Sequence, residues 1–535
     1  MNFFINAGFG EQNSGIEHAQ LKRAQLFRDH GEPFKLVFVE WIPRLHFLLS
    51  QNGVSEDETL NLFDFFQRAE EVPDRVLQAE DLSFGIPAET RLEDTAQKFY
   101  RLLEGQKTWA QIHYFEDDGQ RRVSIVELFD RYGNLYRVDN YDHRGFLSLS
   151  QYYTPESKIG TEIWYDVNGK PVLESYNRYD ATGKFDKAGW RLTYDDNGAT
   201  YSFKNIDELT QYFFNRINAK YWSNDKLNVF ILDRNHVGDW SILDLERPAY
   251  VAMHLHNGHT GDSQDTLHSI LNNFYEYGLV NMNRYDAVIS ATHKQTADLI
   301  VRFDPKCALF TIPVGVIPDE VFKEPRIPMS ERKRHSVLVT ARVAWEKQIG
   351  HIIRSIGIAR EKIPDINFDF YGFVDHRDDD AAQKEINSAI REYGLEEAVH
   401  QHSYSSDVPA LHKGSQIYAL NSLMEGFNLS LMEAQSRGMV TITTDVNYGP
   451  NELTVDGENG YVVPFDGIQE MADRLVELFS DDEKLQRMSD KAYELSERFS
   501  EANVWKAWQG LLEAAKAKKF SYVADISIGL GDQTS

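Results

Sequence analysis

Residues 416–445 read QIYALNSLMEGFNLSLMEAQSRGMVTITTD, a pattern of strand, glycine loop, helix and strand. The apolar run Ile417–Leu420 has the unbroken hydrophobicity of a parallel strand buried on both faces, and Gly426 marks the turn after it. Leu429, Leu431 and Met432 then give a short helical face. Glu425 falls in the loop and Glu433 in the second helical turn, eight positions on. Helical side chains lean toward the N-terminus, so Glu433 can lean back over the loop. The amides of Gly426, Phe427, Asn428 and Leu429 are expected to be unpaired at the helix start and open to an anion. Two carboxylates flanking such amides suit a ligand with a diphosphate in the middle and hydroxyl-bearing sugars at its ends. A nucleotide sugar is one.

Helices with solvent-facing glutamates are common, and this spacing alone decides little. A second pattern lies upstream, where the apolar run of residues 335–340 is followed by Ala-Arg-Val-Ala-Trp-Glu-Lys at 341–347. Arg342 offers phosphate oxygens a planar fork and Lys347 a mobile point charge. Alone, such a pair reads as solvated surface charge. Together, each after its own strand, the two patterns resemble the cationic pair and paired glutamates of retaining glycosyltransferases with the GT-B fold. That resemblance implies an α/β chain of two Rossmann-like lobes.

Composition fits an enzyme of several domains. A chain of 535 residues with 42% hydrophobic content is too long for one core and apolar enough for two to four. Cys307 is the only cysteine, which excludes an intramolecular disulfide or a cysteine-built zinc site. A net charge of −27 argues against nucleic acid or an anionic membrane as a general partner. The opening MNFFINAGFG lacks the regions of a secretion signal, and no later run is long enough to span a bilayer. The cytoplasm is the expected compartment.

The first lobe opens with a short strand, a loop carrying Gly8, Gly10 and Gly15, and a helix from Ile16. The glycines permit close backbone approach, and the helix start would face the donor phosphate. The loop lacks the spacing of a dinucleotide fingerprint, so no nicotinamide cofactor is expected. An insert follows in which aromatic-Asp-x-x-Gly recurs at residues 129–133, 141–145, 165–169, 179–183 and 194–198. Asp and Gly so placed make hairpin turns, and the alternating residues between them make strands of an antiparallel meander. A calcium reading of the aspartates lacks the ligand run of an EF-hand, so turn chemistry is favoured. Beyond the insert, the strand of residues 250–255 leads into His254, His256 and His259, placed beside the cleft if the strand lies in an open parallel sheet. No carboxylate with helical spacing accompanies them, so no metal is expected. Residues 317–334, rich in proline and charge, read as the linker between lobes.

The opening segment, the hairpin insert, the HLHNGH run and the EGFNLSLMEA loop together resemble the A subunit of the accessory Sec system O-linked N-acetylglucosaminyltransferase. They are similar, less closely, to the poly(ribitol-phosphate) N-acetylglucosaminyltransferases of wall teichoic acid. The resemblance implies a first N-terminal lobe segment at 1–69, a docking meander at 70–203, the rest of that lobe at 204–316, a nucleotide-sugar lobe at 317–518 and a tail at 519–535. It implies UDP-N-acetylglucosamine or UDP-glucose as donor and a serine-rich polypeptide as acceptor, with no cofactor beyond the donor. It also implies a non-catalytic B-type partner subunit, through which the chain could meet the membrane peripherally. By the same resemblance, Arg342 and Lys347 neutralise the departing phosphate, Glu425 and His256 hold the transferred sugar, and Glu433 accepts from ribose. Gly15 and the 426–429 loop would face the diphosphate. Tyr404, within a His402-Ser403-Tyr404 run where relatives carry Gly-Tyr, would stand at the uracil pocket. No carboxylate is placed for a covalent intermediate, so a same-face displacement is the implied retaining route. A polyol-phosphate acceptor remains the alternative, as does a non-catalytic subunit of the same fold, which would be expected to lose some of these four charges.

Overall fold

The computed structural model describes residues 1–85, 90–117, 119–193, 198–405 and 407–521. The chain divides into two compact units, residues 1–13, 32–251 and 519–535 in the first and residues 14–31 and 252–518 in the second. No helix among the described residues is long and apolar enough to cross a membrane.

In the first unit β1 (Asn2–Asn6), β2 (Phe34–Phe38) and β3 (Thr59–Asn61) run parallel. The insert follows as ten strands: β4 (Thr90–Asp94), β5 (Phe99–Glu104), β6 (Lys107–Asp117), β7 (Gln120–Phe129), β8 (Leu135–Tyr141), β9 (Leu147–Tyr153), β10 (Ile159–Tyr165), β11 (Pro171–Tyr179), β12 (Phe185–Leu192) and β13 (Tyr201–Phe203). Each lies beside its sequence neighbour in one antiparallel sheet. The chain then returns to the parallel sheet as β14 (Val229–Leu232), which pairs with β1.

The meander's turns bear out the aspartate–glycine reading. Asp130 accepts from the amides of Tyr132 and Asn134 at 2.8 and 2.9 Å, and Gly133 takes a φ of +86°. Asp166 and Asp180 do the same for the amides two and four residues on. The repeat at 194–198 lies outside the described residues except for Gly198. One further turn of this type carries no Asp or Gly. There the Thr154 amide donates to Lys158 O at 2.8 Å, and Ser157 adopts the left-handed conformation at φ +57°.

One turn differs from the rest by its burial. Asp142, His143 and Arg144 are all nearly inaccessible, and they dock against residues 43–75. Arg144 Nε donates to Asp142 at 2.8 Å and Nη1 to Ala69 O at 2.8 Å, while Nη2 lies 3.4 Å from Asp64. Asp64 in turn meets His46 at 2.9 Å. Gln67 adds bonds of 2.9 and 2.7 Å to the carbonyls of Ser148 and Tyr165. Phe63 packs its ring 5.1 Å from that of Trp164. The insert is therefore fused to its host by buried, hydrogen-bonded side chains.

In the second unit β15 (Tyr250–His254), from Ala252 onward, pairs in parallel with β16 (Ala287–Ser290), and β16 with β17 (Ala308–Thr311). A six-stranded sheet is built from β18 (Ser336–Thr340), β19 (Asn367–Tyr371), β20 (Val399–His402), β21 (Ile417–Leu420), β22 (Val440–Thr444) and β23 (Gly460–Val463). All its pairings are parallel, in the order β20-β19-β18-β21-β22-β23. Both faces are covered, which explains the unbroken apolar runs. Val337, Val339, Ile417 and Ala419 face one core with the helices Ile349–Ala359 and Ile468–Phe479. Leu338, Tyr418 and Leu420 face the other, with Leu431 and Met432. The segment expected as linker holds the helix Asp319–Lys323 and buries Ile317 and Met329.

Candidate active site

The six-stranded sheet reverses its winding between β18 and β21. Ligands of open α/β sheets bind beyond the carboxyl ends of the strands at such a reversal. Both charged motifs leave from those two ends, β18 closing at Thr340 shortly before Arg342 and β21 at Leu420 shortly before Glu425.

There the loops are tied to each other. Lys347 Nζ donates to Glu425 Oε1 at 2.6 Å, and Ser422 Oγ donates to the same oxygen at 2.7 Å. The Leu423 amide donates to Glu346 O at 2.8 Å. Arg342 divides its guanidinium between Asp375, past β19, and Glu346. Glu433 is paired with Lys22 of the helix Gly15–Asp29. Burial pushes the Glu433 carboxyl up, but the charge and hydrogen bond of Lys22 outweigh it and hold the group below its ordinary range. Asp375, Ser422 and Lys22 were not singled out in the sequence. Ser422 and Asp375 lie just past strand ends, which is a usable signal, whereas nothing local marks Lys22.

Glycine is required at 426 for space. A Cβ there would lie 2.1 Å from His256 O, so the Glu425 loop and the His256–Asn257 backbone touch main chain to main chain. Gly449 is constrained likewise, since its Cβ would fall 1.8 Å from Phe427 O. At Gly15 a Cβ would meet only Leu429 Cδ1 at 3.8 Å, so this glycine is not needed for close approach. The helix spans Leu429–Ser436, beginning where the sequence placed its apolar face. Asn428 sits at φ +75° and its side chain accepts from the Leu431 amide at 2.9 Å. The helical amides left unpaired among the described residues are those of Leu429 and Ser430. Phe427 contributes its ring to the core, 5.4 Å from Phe499.

The three histidines part company. His254 is buried with Nδ1 3.2 Å from Arg23 Nη1, and Arg23 lies over the Trp508 ring at 5.2 Å. His259 is buried, 3.1 Å from Thr266 O and 3.3 Å from the Tyr448 hydroxyl. Burial pulls its pKa down to about 4. His256 alone keeps partial exposure, its ring 4.1 Å from that of His254 and its carbonyl against Gly426. Tyr404 lies beyond β20 and is 64% exposed. Trp345 and Phe373, in the loops after β18 and β19, are also exposed, so three adjacent strands each present an aromatic ring beyond their carboxyl end.

Residues 322–495 match the family model of glycosyl transferases group 1, and residues 95–204 match that of the GtfB middle domain. The chain is 26% identical, over 96% of its length and 98% of the relative's, to the UDP-N-acetylglucosamine–peptide N-acetylglucosaminyltransferase GtfA subunit of Streptococcus gordonii. The solved pneumococcal O-GlcNAc transferase GtfA, in complex with UDP and GlcNAc, superposes with a TM-score of 0.80 at 23% identity, covering 97% of this chain and 99% of that one. A GtfA/B complex gives a TM-score of 0.79 at 25% identity, covering 97% and 100%. The chain is a glycosyltransferase of the GT-B fold. Its group 1 match spans β18, β21, the loops that carry Arg342, Lys347 and Glu425, and the helix that carries Glu433. The middle-domain match spans the meander from β5 to β13.

Proposed function

We propose that this glycosyltransferase moves N-acetylglucosamine from UDP-N-acetylglucosamine to serine and threonine hydroxyls of a serine-rich polypeptide, as an A-type subunit working with a B-type partner. The observation that carries the reading is the arrangement of Arg342, Lys347 and Glu425 on loops at the winding reversal, with Glu433 on the helix that follows. Likeness to GtfA subunits along nearly the whole chain, meander included, supports the polypeptide acceptor and the partner. Arg342 and Lys347 stabilise charge on the departing phosphate, with the Leu429 and Ser430 amides beside them. Glu425 and His256 hold the sugar, Glu433 accepts from ribose, and Tyr404 with Phe373 offers the base a stacking surface. Two fixed cations make a metal unnecessary, and the phosphate itself takes the acceptor's proton in a same-face displacement. The cytoplasm is its proposed compartment, with the membrane reached through the partner.

The test supplies the protein, with and without a B-type subunit, with UDP-N-acetylglucosamine or UDP-glucose and either a serine-rich peptide or a polyol-phosphate chain. A mass increase of one N-acetylhexosamine on the peptide is expected. Modification of the polyol phosphate alone would replace this reading with the teichoic acid one, which the net charge of −27 disfavours because like charge suppresses encounter.

A further inference from the structure

The ion pair between Lys22 and Glu433 joins two helices through residues 411 apart in sequence. Both side chains are a little over one quarter exposed. Titratable and charged groups face this carboxylate from three elements. The helix Gly15–Asp29 brings Lys22 and, one turn before it, His18; the helix Val408–Gly414 brings the buried His412; Arg437 comes from just past the glutamate's own helix. Arg437 Nη1 donates to the Glu433 backbone carbonyl at 3.3 Å, not to the carboxylate. Among the described residues only Lys22 donates to the carboxylate, and it does so at Oε1.

We propose that Lys22 is a positioning residue for donor binding, holding Glu433 Oε1 so that the carboxylate stays ionised and fixed while Oε2 accepts from the ribose diol of a nucleoside diphosphate. The proposal rests on the reading of Glu433 as the ribose acceptor and adds the group that keeps it competent. A carboxylate has lone pairs on both oxygens, so ribose need not displace the lysine. Without the cation, a half-buried carboxylate loses its offset to burial, protonates more readily, and becomes a poorer acceptor. A lysine that served only to dock its helix would act independently of pH.

The test measures UDP binding to the full-length chain by isothermal titration calorimetry, which needs neither acceptor nor partner. Lys22→Met and Lys22→Gln are expected to bind UDP about tenfold more weakly than wild type near pH 5.5 and within about threefold near pH 8, while Lys22→Arg follows wild type at both. Glu433→Gln should be weak at both values. Wild-type affinity for Lys22→Met and Lys22→Gln at both pH values, with Glu433→Gln still weak, overturns the inference alone. So does an equal loss at both values that Lys22→Arg fails to rescue. Undiminished binding by Glu433→Gln removes the ribose reading itself, and the inference with it.

Discussion

Lys347 against Glu425 and Arg342 against Asp375 and Glu346 are pairs whose partners matter as much as the charges do. Arg342→Ala and Lys347→Ala are expected to lower kcat more than donor affinity, because the charge they meet grows in the transition state, an effect of about 2.7–4 kcal/mol per lost donor in comparable sites. Steady-state kinetics separate the two constants, and a loss of donor affinity with kcat unchanged would point to ground-state binding. Activity is expected to survive EDTA. Abolition by chelator and restoration by manganese would mean that a metal does the work assigned to the cations. At this scale the motifs were legible and their partners only in part, since Lys22 lies far from Glu433 in the chain. Two buried histidines set an acid limit. His259 and His412 are both pulled down by burial to about 4 from an ordinary 6.5, so the unfolded chain binds more protons than the folded one between those values. Stability is therefore full above pH 6.5 and falls as pH drops toward 4. The melting temperature should decline from pH 7 to 5, and His412→Gln should flatten that decline.

Elements were read well where a periodicity or a turn signature was present, and less well where backbone conformation chose the boundary. The strand, loop and helix of residues 417–436 stand where the apolar runs put them. What sequence did not announce is the cap: Asn428 takes a left-handed conformation, which asparagine tolerates, and its side chain accepts from the Leu431 amide. The Thr154–Lys158 turn went unread because Ser157 occupies the position glycine holds elsewhere. Two glycines named from sequence now separate by function. Gly426→Ala is expected to cost at least about tenfold in activity and several degrees of melting temperature, since its Cβ would strike the His256 carbonyl and push the Glu425 loop away. Gly15→Ala should leave stability unchanged or slightly raised, because the new methyl meets only Leu429 and alanine favours a helix. Differential scanning fluorimetry of the two variants side by side checks the contrast.

At the scale of the whole molecule, an inserted meander could be read from its repeats, but its attachment could not. The Asp142 turn has the same signature as the Asp130 turn, and only the fold makes one buried and the other exposed. Arg144→Met would leave Asp142 and Asp64 without their cation, a loss of about 3–5 kcal/mol for a broken buried pair, whereas Tyr132→Ala at the same place in the exposed turn should change stability little. Excising residues 70–203 would do worse, stripping partners from Asp64 and Gln67 at once, so deletion is expected to unfold the first unit. The docking role we propose for the meander must therefore be tested on its surface. Tyr132, Tyr136 and Tyr179 are 72%, 42% and 53% exposed, and exposed aromatic side chains are common anchors of protein recognition. Replacing the three by alanine should leave the melting temperature and slow UDP-sugar hydrolysis intact, while weakening either peptide glycosylation or association with a B-type subunit by at least about tenfold. Size-exclusion chromatography with the partner and mass spectrometry of the peptide distinguish those two losses. Normal complex formation together with normal glycosylation by the triple variant would show that these tyrosines are not the docking contacts.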